Sequence, residues 1–529
     1  MNRAIARFGV ALLVLYTAVF AQLNNLQLFG ARRLNHNPIN VREAAKDFER
    51  KRGSIVTSDG VTIAESIDTP GGVTDRVRKY SDPLVYAPLT GYFSRDYGVA
   101  GLEKQYNDAL AAKTNAQKYG DFADLFNPQD RTGNVTLTID NDVQRAAAQG
   151  LLFRKGSVVA IDPRDGSILA LYSFPTYDPN TLSDVDRVAA KAAKNQLDAD
   201  PAKPLLTRAY RDNYFPGSTF KVVTSAAGLE SGAVTPDSPN FAPATGYTAP
   251  LTNSVLKNFG GETCGGTLFE ILRVSCNSAF AQMGAEVIGP TAMVERAQAF
   301  GFNDTAPIDL PDAAKSVFPT DYGKKLQTVD VFHAHQSAPS GPGAPTASTT
   351  TTPGARPPVY VYENTPRLAQ ASIGQNDVQA TPLQMALVAA GVANGGVIMK
   401  PHVMKEIRTK SGEVLSVYTP TPWRTAVTPE VAATLREAMV GVVEGPGGTA
   451  FRMAVDGFVV GAKTGTAELG TSPPSSHAWV IGFGGQAGQP PSVAVAVLVE
   501  AQPGATEQTG GRVAAPIAKA VIEAALRAR

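Results

Sequence analysis

The longest hydrophobic pattern in the chain lies at its amino terminus. Apolar residues dominate Phe8–Phe29, and the strictest part of the run ends at Ala21. A helix over this stretch would be about 33 Å long, close to the ~30 Å thickness of a bilayer core. Arg3 and Arg7 precede the run, so we expect the N-terminal tip in the cytoplasm and the rest of the chain outside. We predict an uncleaved membrane anchor over residues 1–30, with a signal peptide cleaved near Ala21 as the alternative.

Short strand and helix patterns follow over residues 31–154. Lys51–Val56 begins a predicted strand–turn–strand unit, and Val135–Ile139 alternates as a strand. Asp140 can cap the helix that follows it, and another helix is predicted over Lys104–Lys113. These patterns predict a small mixed domain, which we call the pedestal.

From residue 155 to the end, strand patterns occur at both ends of the region and helical patterns between them. This order predicts an α+β domain over residues 155–529, in which helices cover an antiparallel sheet. Residues 337–358 are almost all Ser, Thr, Pro, Gly and Ala, which predicts a disordered insert within this domain. The predicted strands are Ser157–Ile161, Ser167–Leu171, Phe458–Ala462, Ala478–Phe483 and Ser492–Glu500, and a closing helix is predicted over Ile517–Ala528.

The amino-acid composition mainly excludes several classes of protein and site. The 529 residues are 43% hydrophobic and 18% charged, a globular balance that excludes wholesale disorder. The 48 Lys and Arg residues nearly balance 47 Asp and Glu residues, and a net charge of +1 provides no field to hold a nucleic acid. Two cysteines and five scattered histidines predict neither a metal site nor a cofactor.

The two cysteines, Cys264 and Cys276, would lie outside the cytoplasm in either interpretation of the amino terminus. That compartment is oxidising, so the two can form a disulfide that closes a short loop. The alternative is two separate, small buried residues. The disulfide is our prediction.

One segment combines a serine, a lysine and the start of a helix. Pro216-Gly217-Ser218-Thr219-Phe220-Lys221 precedes a helix-like run, Val222–Leu229. At a helix start, the backbone N–H of Ser218 would point toward developing negative charge. Lys221 would lie on the same face one turn later, where a buried amine can lose its proton and accept another from the serine hydroxyl. These residues are a candidate nucleophile and general base.

Two further segments could complete such a site. Ser275 and Asn277 follow an apolar helical stretch, Leu268–Val274. If the chain turns there, the hydroxyl can move a proton and the amide can bind a substrate carbonyl, whereas a helix cap is the structural alternative. Lys463-Thr464-Gly465-Thr466 ends a predicted strand. It offers a cation and a hydroxyl to a substrate carboxylate, and its glycine would let a ligand backbone approach closely.

Each segment has a counterpart elsewhere, so the individual motifs are weak signals. The counterparts are Ser254-Val255-Leu256-Lys257, Ser238-Pro239-Asn240 and Lys410-Ser411-Gly412. They occur in the wrong order, because Ser238 precedes Ser254, whereas Ser218, Ser275 and Lys463 follow one another along the chain. The ordered set is therefore much stronger evidence than its parts.

The ordered set resembles the Ser-x-x-Lys, Ser-x-Asn and Lys-Thr-Gly motifs of penicillin-binding proteins. The chain is similar over nearly its whole length to class B penicillin-binding proteins, which are monofunctional peptidoglycan transpeptidases. The pedestal and the Ser-Cys-Asn segment most resemble the actinobacterial A-type subgroup linked to cell division. Further matching segments are Arg52-Gly53-Ser54-Ile55, Gly101-Leu102-Glu103, Pro175-Thr176-Tyr177-Asp178, Gly374-Gln375 and His477-Ala478-Trp479.

The resemblance implies roles for the site residues. Ser218 would be the acylated nucleophile and Lys221 its general base, while Ser275 would relay protons and Asn277 would bind the substrate amide. The segment Lys463-Thr464-Gly465-Thr466 would hold the peptide carboxylate through its first two residues. The backbone N–H groups of Ser218 and Thr466 would form the oxyanion hole.

The resemblance also implies a function and a location. The protein would cross-link peptidoglycan stem peptides ending in D-Ala-D-Ala and would be acylated by β-lactams. It would be a single-pass protein of the cell membrane with its catalytic domain outside the cytoplasm, and its pedestal would contact a glycosyltransferase or another division protein. The alternatives are a D,D-carboxypeptidase or β-lactam hydrolase, and a penicillin-binding sensor or division scaffold.

Overall fold

The computed structural model describes residues 2–25, 48, 50–69, 76–114, 117, 130–326, 361–502, 504 and 508–528. The insert predicted over residues 337–358 lies outside these described residues, as does the first part of the pedestal, residues 31–47.

Nineteen strands lie within the described part of the chain. In chain order they are β1 (Ile55–Val56), β2 (Thr62–Asp68), β3 (Arg76–Tyr80), β4 (Phe93–Ser94), β5 (Gly98–Val99), β6 (Gly133–Leu137), β7 (Gly156–Ile161), β8 (Ile168–Phe174), β9 (Phe241–Ala244), β10 (Gly246–Thr248), β11 (Val255–Lys257), β12 (Cys264–Gly266), β13 (Val397–Met399), β14 (Met404–Thr409), β15 (Val414–Val417), β16 (Pro422–Thr425), β17 (Phe458–Glu468), β18 (Ser476–Gln486) and β19 (Val493–Val499).

Fifteen α-helices accompany them in the described residues. In chain order they are α1 (Asn2–Asn25), α2 (Pro83–Thr90), α3 (Gly101–Gln105), α4 (Asn107–Leu110), α5 (Asn141–Leu151), α6 (Arg187–Ala199), α7 (Arg208–Arg211), α8 (Lys221–Glu230), α9 (Leu268–Arg273), α10 (Asn277–Gln282), α11 (Gly289–Ala299), α12 (Thr365–Ala371), α13 (Pro382–Ala393), α14 (Pro429–Glu444) and α15 (Gly510–Arg527).

Helix α1 contains the described part of the predicted anchor, and residues 26–30 of that prediction lie outside the described residues. Its stretch Ile5–Asn25 is 21 residues long, and none of it packs against the rest of the protein. Among the described residues, this is the one helix long and apolar enough to cross a membrane. The predicted anchor is thus helical from before its apolar run begins.

The pedestal strands form a six-stranded sheet in the order β15-β14-β6-β1-β2-β3. Strands β1 and β6 pair in parallel, and the other pairs are antiparallel. The hairpin β14–β15 comes from the second half of the chain, so the sheet joins segments that are more than 250 residues apart in sequence, such as Gly133 and Thr409 (276 residues, 409 − 133). The pedestal sheet therefore contains strands from both sides of the boundary predicted between residues 154 and 155.

The single helix predicted over Lys104–Lys113 is wrong. Tyr106 divides this segment into α3 and α4, which precede and follow it. A buried ion pair accounts for the break: the Glu103 carboxylate accepts from Arg52 at 2.6 Å and from Arg78 at 2.7 Å. Arg52 also donates to Asn107 at 2.9 Å, which fixes the start of the second helix against the same guanidinium.

The second sheet has five strands in the order β17-β18-β19-β7-β8, and all of its pairs are antiparallel, as the sequence pattern predicted. Helices α5 and α15 pack on one face, and α13 packs on the other. Every residue of β19 and of α13 is buried, which explains why β19 is an unbroken apolar run and why Gln384 is the one residue of α13 with a polar side chain. The α+β organisation with helices covering an antiparallel sheet is thus confirmed.

Strand β17 is longer than predicted and lies at the sheet edge. It continues beyond Ala462 to Glu468, so Lys463-Thr464-Gly465-Thr466 lies inside the strand rather than at its end. The strand pairs with β18 along one side, and no other described strand pairs along the other side. Helix α15 likewise begins at Gly510, earlier than the predicted Ile517. These two extensions bring the start of α15 beside β17.

Candidate active site

Ser218 lies in a short 3₁₀ turn, Gly217–Phe220, that leads directly into α8. Gly217 has a φ of 53°, and a Cβ at this position would lie 2.8 Å from the backbone oxygen of Thr466. A glycine is therefore required where the turn meets β17. The Gly217 N–H also donates to the Gly374 carbonyl at 2.9 Å, so the turn is held from two sides.

Lys221 is fully buried one turn after Ser218. Its Nζ donates to the Ser275 carbonyl at 2.7 Å and to the Asn277 side-chain oxygen at 2.7 Å, and it lies 3.3 Å from the Ser275 hydroxyl. Burial, and to a lesser extent the Lys463 ammonium, hold the pKa of Lys221 well below its usual range. The amine can therefore exist in its neutral form near neutral pH.

The chain turns between α9 and α10, as a joint role for Ser275 and Asn277 requires. Ser275 has a φ of 61°, a left-handed conformation that reverses the chain, and the Cys276 N–H donates to the Ile271 carbonyl at 2.9 Å. Asn277 begins α10, and its Nδ2 donates to the Lys257 carbonyl at 3.2 Å. The turn brings the side chains of Ser275 and Asn277 into contact with the same group, the Lys221 amine.

Lys463 approaches the same hydroxyl from β17. Its Nζ donates to the Ser275 hydroxyl at 2.7 Å and to the Thr464 carbonyl at 2.8 Å. The side chain is fully buried, and this burial lowers the pKa of Lys463 to about 7. In this arrangement the Lys463 Nζ donates to protein groups, and its role in holding a substrate carboxylate through its charge stays a prediction.

Thr464 and Gly465 of the same segment make contacts that differ from those of Lys463. The Thr464 hydroxyl donates to the Thr449 hydroxyl at 2.7 Å. A Cβ at Gly465 would lie 2.9 Å from the Thr219 side chain and 3.0 Å from the Pro216 carbonyl. The glycine thus admits the protein's own Ser218 turn, not a ligand backbone as the sequence suggested.

A single open cleft of about 1860 Å³ runs above these residues. Ser218, Ser275, Asn277, Thr464 and Thr466 line it, whereas the two buried lysines lie beneath its surface. A site for one small ligand usually occupies about 300–1,000 Å³. The cleft is therefore large enough for two extended chains to meet at Ser218.

The structure joins Cys264 and Cys276 in a disulfide. Cys264 lines the cleft, and Cys276 is buried between Ser275 and Asn277. Buried Asn258 reinforces the same connection, because its side-chain oxygen accepts from the Ser278 N–H at 2.8 Å. The loop that presents the Ser-Cys-Asn segment is thus fixed both covalently and by hydrogen bonds.

Two of the counterpart motifs lie in different parts of the structure. Ser254 precedes the short strand β11 at the cleft margin, and Lys257 ends that strand, where its backbone carbonyl accepts from Asn277. Lys410 lies in the β14–β15 turn of the six-stranded sheet. Asn258 and Thr449 were not predicted from the sequence as parts of the site. The signals available were the amide directly after the second Ser-x-x-Lys and the glycine-rich turn that precedes Thr449.

Two families match separate parts of the chain. The family described as the penicillin binding protein transpeptidase domain matches residues 156–523, which include every candidate site residue. The family described as the penicillin binding protein A dimerisation domain matches residues 52–135, within the pedestal. The two matches therefore leave the β14–β15 hairpin with the transpeptidase segment although it completes the pedestal sheet.

Curated relatives match over the full length. The peptidoglycan D,D-transpeptidase PbpA of Mycolicibacterium smegmatis is 38% identical over 540 residues, covering 100% of this chain and 99% of that protein. The protein of the same name from Mycobacterium tuberculosis is 37% identical over 545 residues, with the same coverage.

Solved structures agree with the sequence comparison. The ceftriaxone acyl-enzyme complex of penicillin-binding protein A from M. tuberculosis superposes with a TM-score of 0.75 at 34% identity, covering 91% of this chain and 100% of that one. The penicillin G acyl-enzyme complex of the same protein gives a TM-score of 0.74 at 35% identity, with 90% and 99% coverage.

Proposed function

The chain belongs to the penicillin-binding protein transpeptidase family, and we propose that it is a peptidoglycan D,D-transpeptidase acting through an acyl-enzyme on Ser218. The observation that supports Ser218 most directly is the buried network beside it, in which Lys221 and Lys463 share the Ser275 hydroxyl. Two ammonium groups rarely share one buried hydroxyl unless at least one of them loses its proton. The network therefore supplies a proton acceptor next to a serine that faces the cleft.

The hydrogen bonds of Lys221 explain how it can act as a base. A neutral amine has two N–H donors and one lone pair, and two short bonds to Ser275 and Asn277 take both donors. The lone pair is then free to accept the proton of the Ser218 hydroxyl one turn earlier. A protonated lysine would have no such acceptor.

The proposed reaction has two steps. In acylation, the Ser218 oxygen attacks the carbonyl carbon of the penultimate D-Ala and its proton passes to Lys221. The peptide C–N bond breaks, and the terminal D-Ala leaves with a proton returned through Ser275. In the second step, the amine of an acceptor stem peptide attacks the ester, a proton passes to Lys221, and Ser218 is regenerated as a hydroxyl. A β-lactam performs the first step alone, because its leaving amine stays attached to the acyl group.

The position of β17 suggests how the donor peptide binds. Thr464, Thr466 and Glu468 alternate along this edge strand, and all three line the cleft. An extended peptide could therefore pair with the free side of the strand and lie across Ser218. The backbone N–H groups of Ser218 and Thr466 are the proposed oxyanion donors, since the Thr466 backbone packs against Gly217 next to the nucleophile.

The proposal also includes the location of the protein in the cell and the proteins that its pedestal would contact. Helix α1 would hold the protein in the cell membrane by a single span, with residues 31–154 as the pedestal and residues 155–529 as the transpeptidase domain outside the cytoplasm. The pedestal sheet would contact a glycosyltransferase or another division protein. The positive residues before the apolar run support this orientation, as argued from Arg3 and Arg7.

Transpeptidation can be tested directly with the full-length protein in detergent. Given a pentapeptide ending in D-Ala-D-Ala and an excess of a D-amino acid acceptor, the protein should release one D-Ala and join the acceptor to the shortened peptide. Mass spectrometry of the products distinguishes this exchange from simple hydrolysis. Release of D-Ala with hydrolysed peptide as the dominant product would favour the D,D-carboxypeptidase alternative, and no release at all would favour a sensor or scaffold.

The pH dependence of the acylation rate should show the effect of the positive charge on Lys463. Burial lowers the pKa of Lys463 to about 7, so its positive charge is present below that pH and is lost above it. We expect the acylation rate constant for benzylpenicillin, a carboxylate, to fall as the pH rises from 7 to 9. The fall should be absent for the methyl ester of benzylpenicillin and for a Lys463→Ala variant, both measured over the same range. The same fall for the acid and the ester would contradict an electrostatic attraction between the Lys463 ammonium and the substrate carboxylate.

A further inference from the structure

We propose that Thr449 is a second hydroxyl of the subsite that binds the substrate carboxylate, where it positions Thr464 and shares the negative charge. This inference rests on the transpeptidase function proposed above. It starts from the position of Lys463, whose ammonium is fully buried and donates to Ser275 and to the Thr464 carbonyl. A carboxylate in the cleft must therefore take its direct hydrogen bonds from groups nearer the surface.

The two threonine hydroxyls form a pair at the cleft wall. Thr464 lies on β17, and Thr449 lies in the turn after α14, yet their hydroxyl oxygens are 2.7 Å apart. Both residues line the cleft. Each hydroxyl has one proton and two lone pairs, so the pair can rotate as a unit when an anion arrives. Thr449 can then donate to Thr464 while Thr464 donates to the carboxylate, and each bond strengthens the other.

Thr449 is held in place from three directions. Its N–H donates to the Arg273 carbonyl at 3.4 Å, at the end of the helix that leads to Ser275. The N–H of the next residue, Ala450, donates to the Val442 carbonyl in α14 at 3.1 Å. On the third side, a Cβ at Gly511 would lie 2.4 Å from the Thr449 carbonyl oxygen. Such a fixed hydroxyl loses little conformational entropy when it binds a ligand.

The electrostatic environment of the pair favours an anion. Helix α15 is 18 residues long, has no acidic residue in its first turn, and begins at the cleft beside both threonines. The Thr509 side chain does not cap its first N–H groups. Arg512 in the same turn and Arg452 both line this end of the cleft, and neither makes an ion pair with any described residue. The helix dipole and two guanidinium groups thus add positive potential where the hydroxyl pair would hold a carboxylate.

A pair of substitutions at Thr449 tests the role. Thr449→Val keeps the side-chain shape but removes the hydroxyl, and Thr449→Ser restores it. We expect Thr449→Val to lower the acylation rate constant for benzylpenicillin by about tenfold to a hundredfold, the usual range for losing a hydrogen bond to a charged group. Its rate constant for benzylpenicillin methyl ester should stay within about twofold of wild type, because the ester carries no charge to share.

The controls separate this role from a structural one. Thr449→Ser should recover most of the rate with benzylpenicillin, and Thr434→Val, on the exposed face of α14, should change neither rate. Equal losses with the acid and the ester would show that Thr449 only supports the fold, and no loss with either would show that it plays no part; both results overturn the inference. If wild-type protein is acylated by neither probe, the proposed function itself fails, and this outcome is distinct from the other two.

Discussion

The Ser218→Ala variant is expected to form no covalent adduct with penicillin, whereas the wild-type protein should gain the mass of one penicillin molecule. The substitution removes the hydroxyl oxygen that lines the cleft in the turn just before α8 and leaves the glycine-dependent turn itself unchanged. Intact-protein mass spectrometry measures the adduct, and peptide mapping should place it on the fragment that contains Ser218. The expected loss is complete, because no acyl bond can form without the nucleophile.

The chain offers a matched control for this experiment. Ser254 belongs to the other Ser-x-x-Lys sequence and lies on an exposed segment at the cleft margin. Ser254→Ala should therefore label like wild type. An adduct that maps to Ser254, or labelling that persists in Ser218→Ala, would refute the assignment of the nucleophile.

The Lys221→Ala variant should still fold but should be acylated about 10²–10⁴ times more slowly, the usual contribution of a positioned acid–base group. In the structure, Lys221 is the fully buried amine whose pKa is held low beside the nucleophile, and its two donors are engaged with Ser275 and Asn277. Removing it takes away the proton acceptor and leaves these two oxygens without their donor. Time-resolved acylation by benzylpenicillin gives the rate constant directly.

Two measurements make the Lys221 result interpretable. Leaving buried acceptors unpaired costs roughly 1–3 kcal/mol each, so thermal melting of Lys221→Ala should show a lowered but cooperative transition. Lys410→Ala, in the turn of the distant β14–β15 hairpin, should acylate at the wild-type rate. A rate for Lys221→Ala within tenfold of wild type would mean that another group takes the Ser218 proton.

Local elements were predictable because their causes are local. Asp140 was identified as a helix cap from its position before an amphipathic run, and its side chain accepts from the N–H groups of Asp142 and Val143. The segment Asp162-Pro163-Arg164-Asp165-Gly166 is rich in turn-forming residues and joins β7 and β8, both of which were predicted as strands. In both cases a few neighbouring residues determine the conformation, so the pattern carries the information.

Elements stabilised by distant partners were predicted less well. The break at Tyr106 depends on the Glu103 carboxylate, which pairs with Arg52 just before β1 and with Arg78 in β3. The strand containing Lys463 was predicted too short, because pairing with β18 continues through Thr464-Gly465-Thr466 to Glu468. The pairing of β14 with β6 was missed, since nothing local to either strand identifies its neighbour. Tertiary contacts override local propensity in each case.

The sequence alone determined the residue types, their order along the chain and the family that this order resembles. Those features were sufficient to single out Ser218, Lys221, Ser275 and Lys463, because the chemistry needs these groups and their counterparts occur in the wrong order. Only the tertiary structure decided what each group touches: Lys463 contacts Ser275 rather than the cleft, and Thr464 contacts Thr449. The reason is physical, since hydrogen bonds and burial depend on distances between segments that lie far apart in sequence, as Ser275 and Lys463 do with a separation of 188 residues.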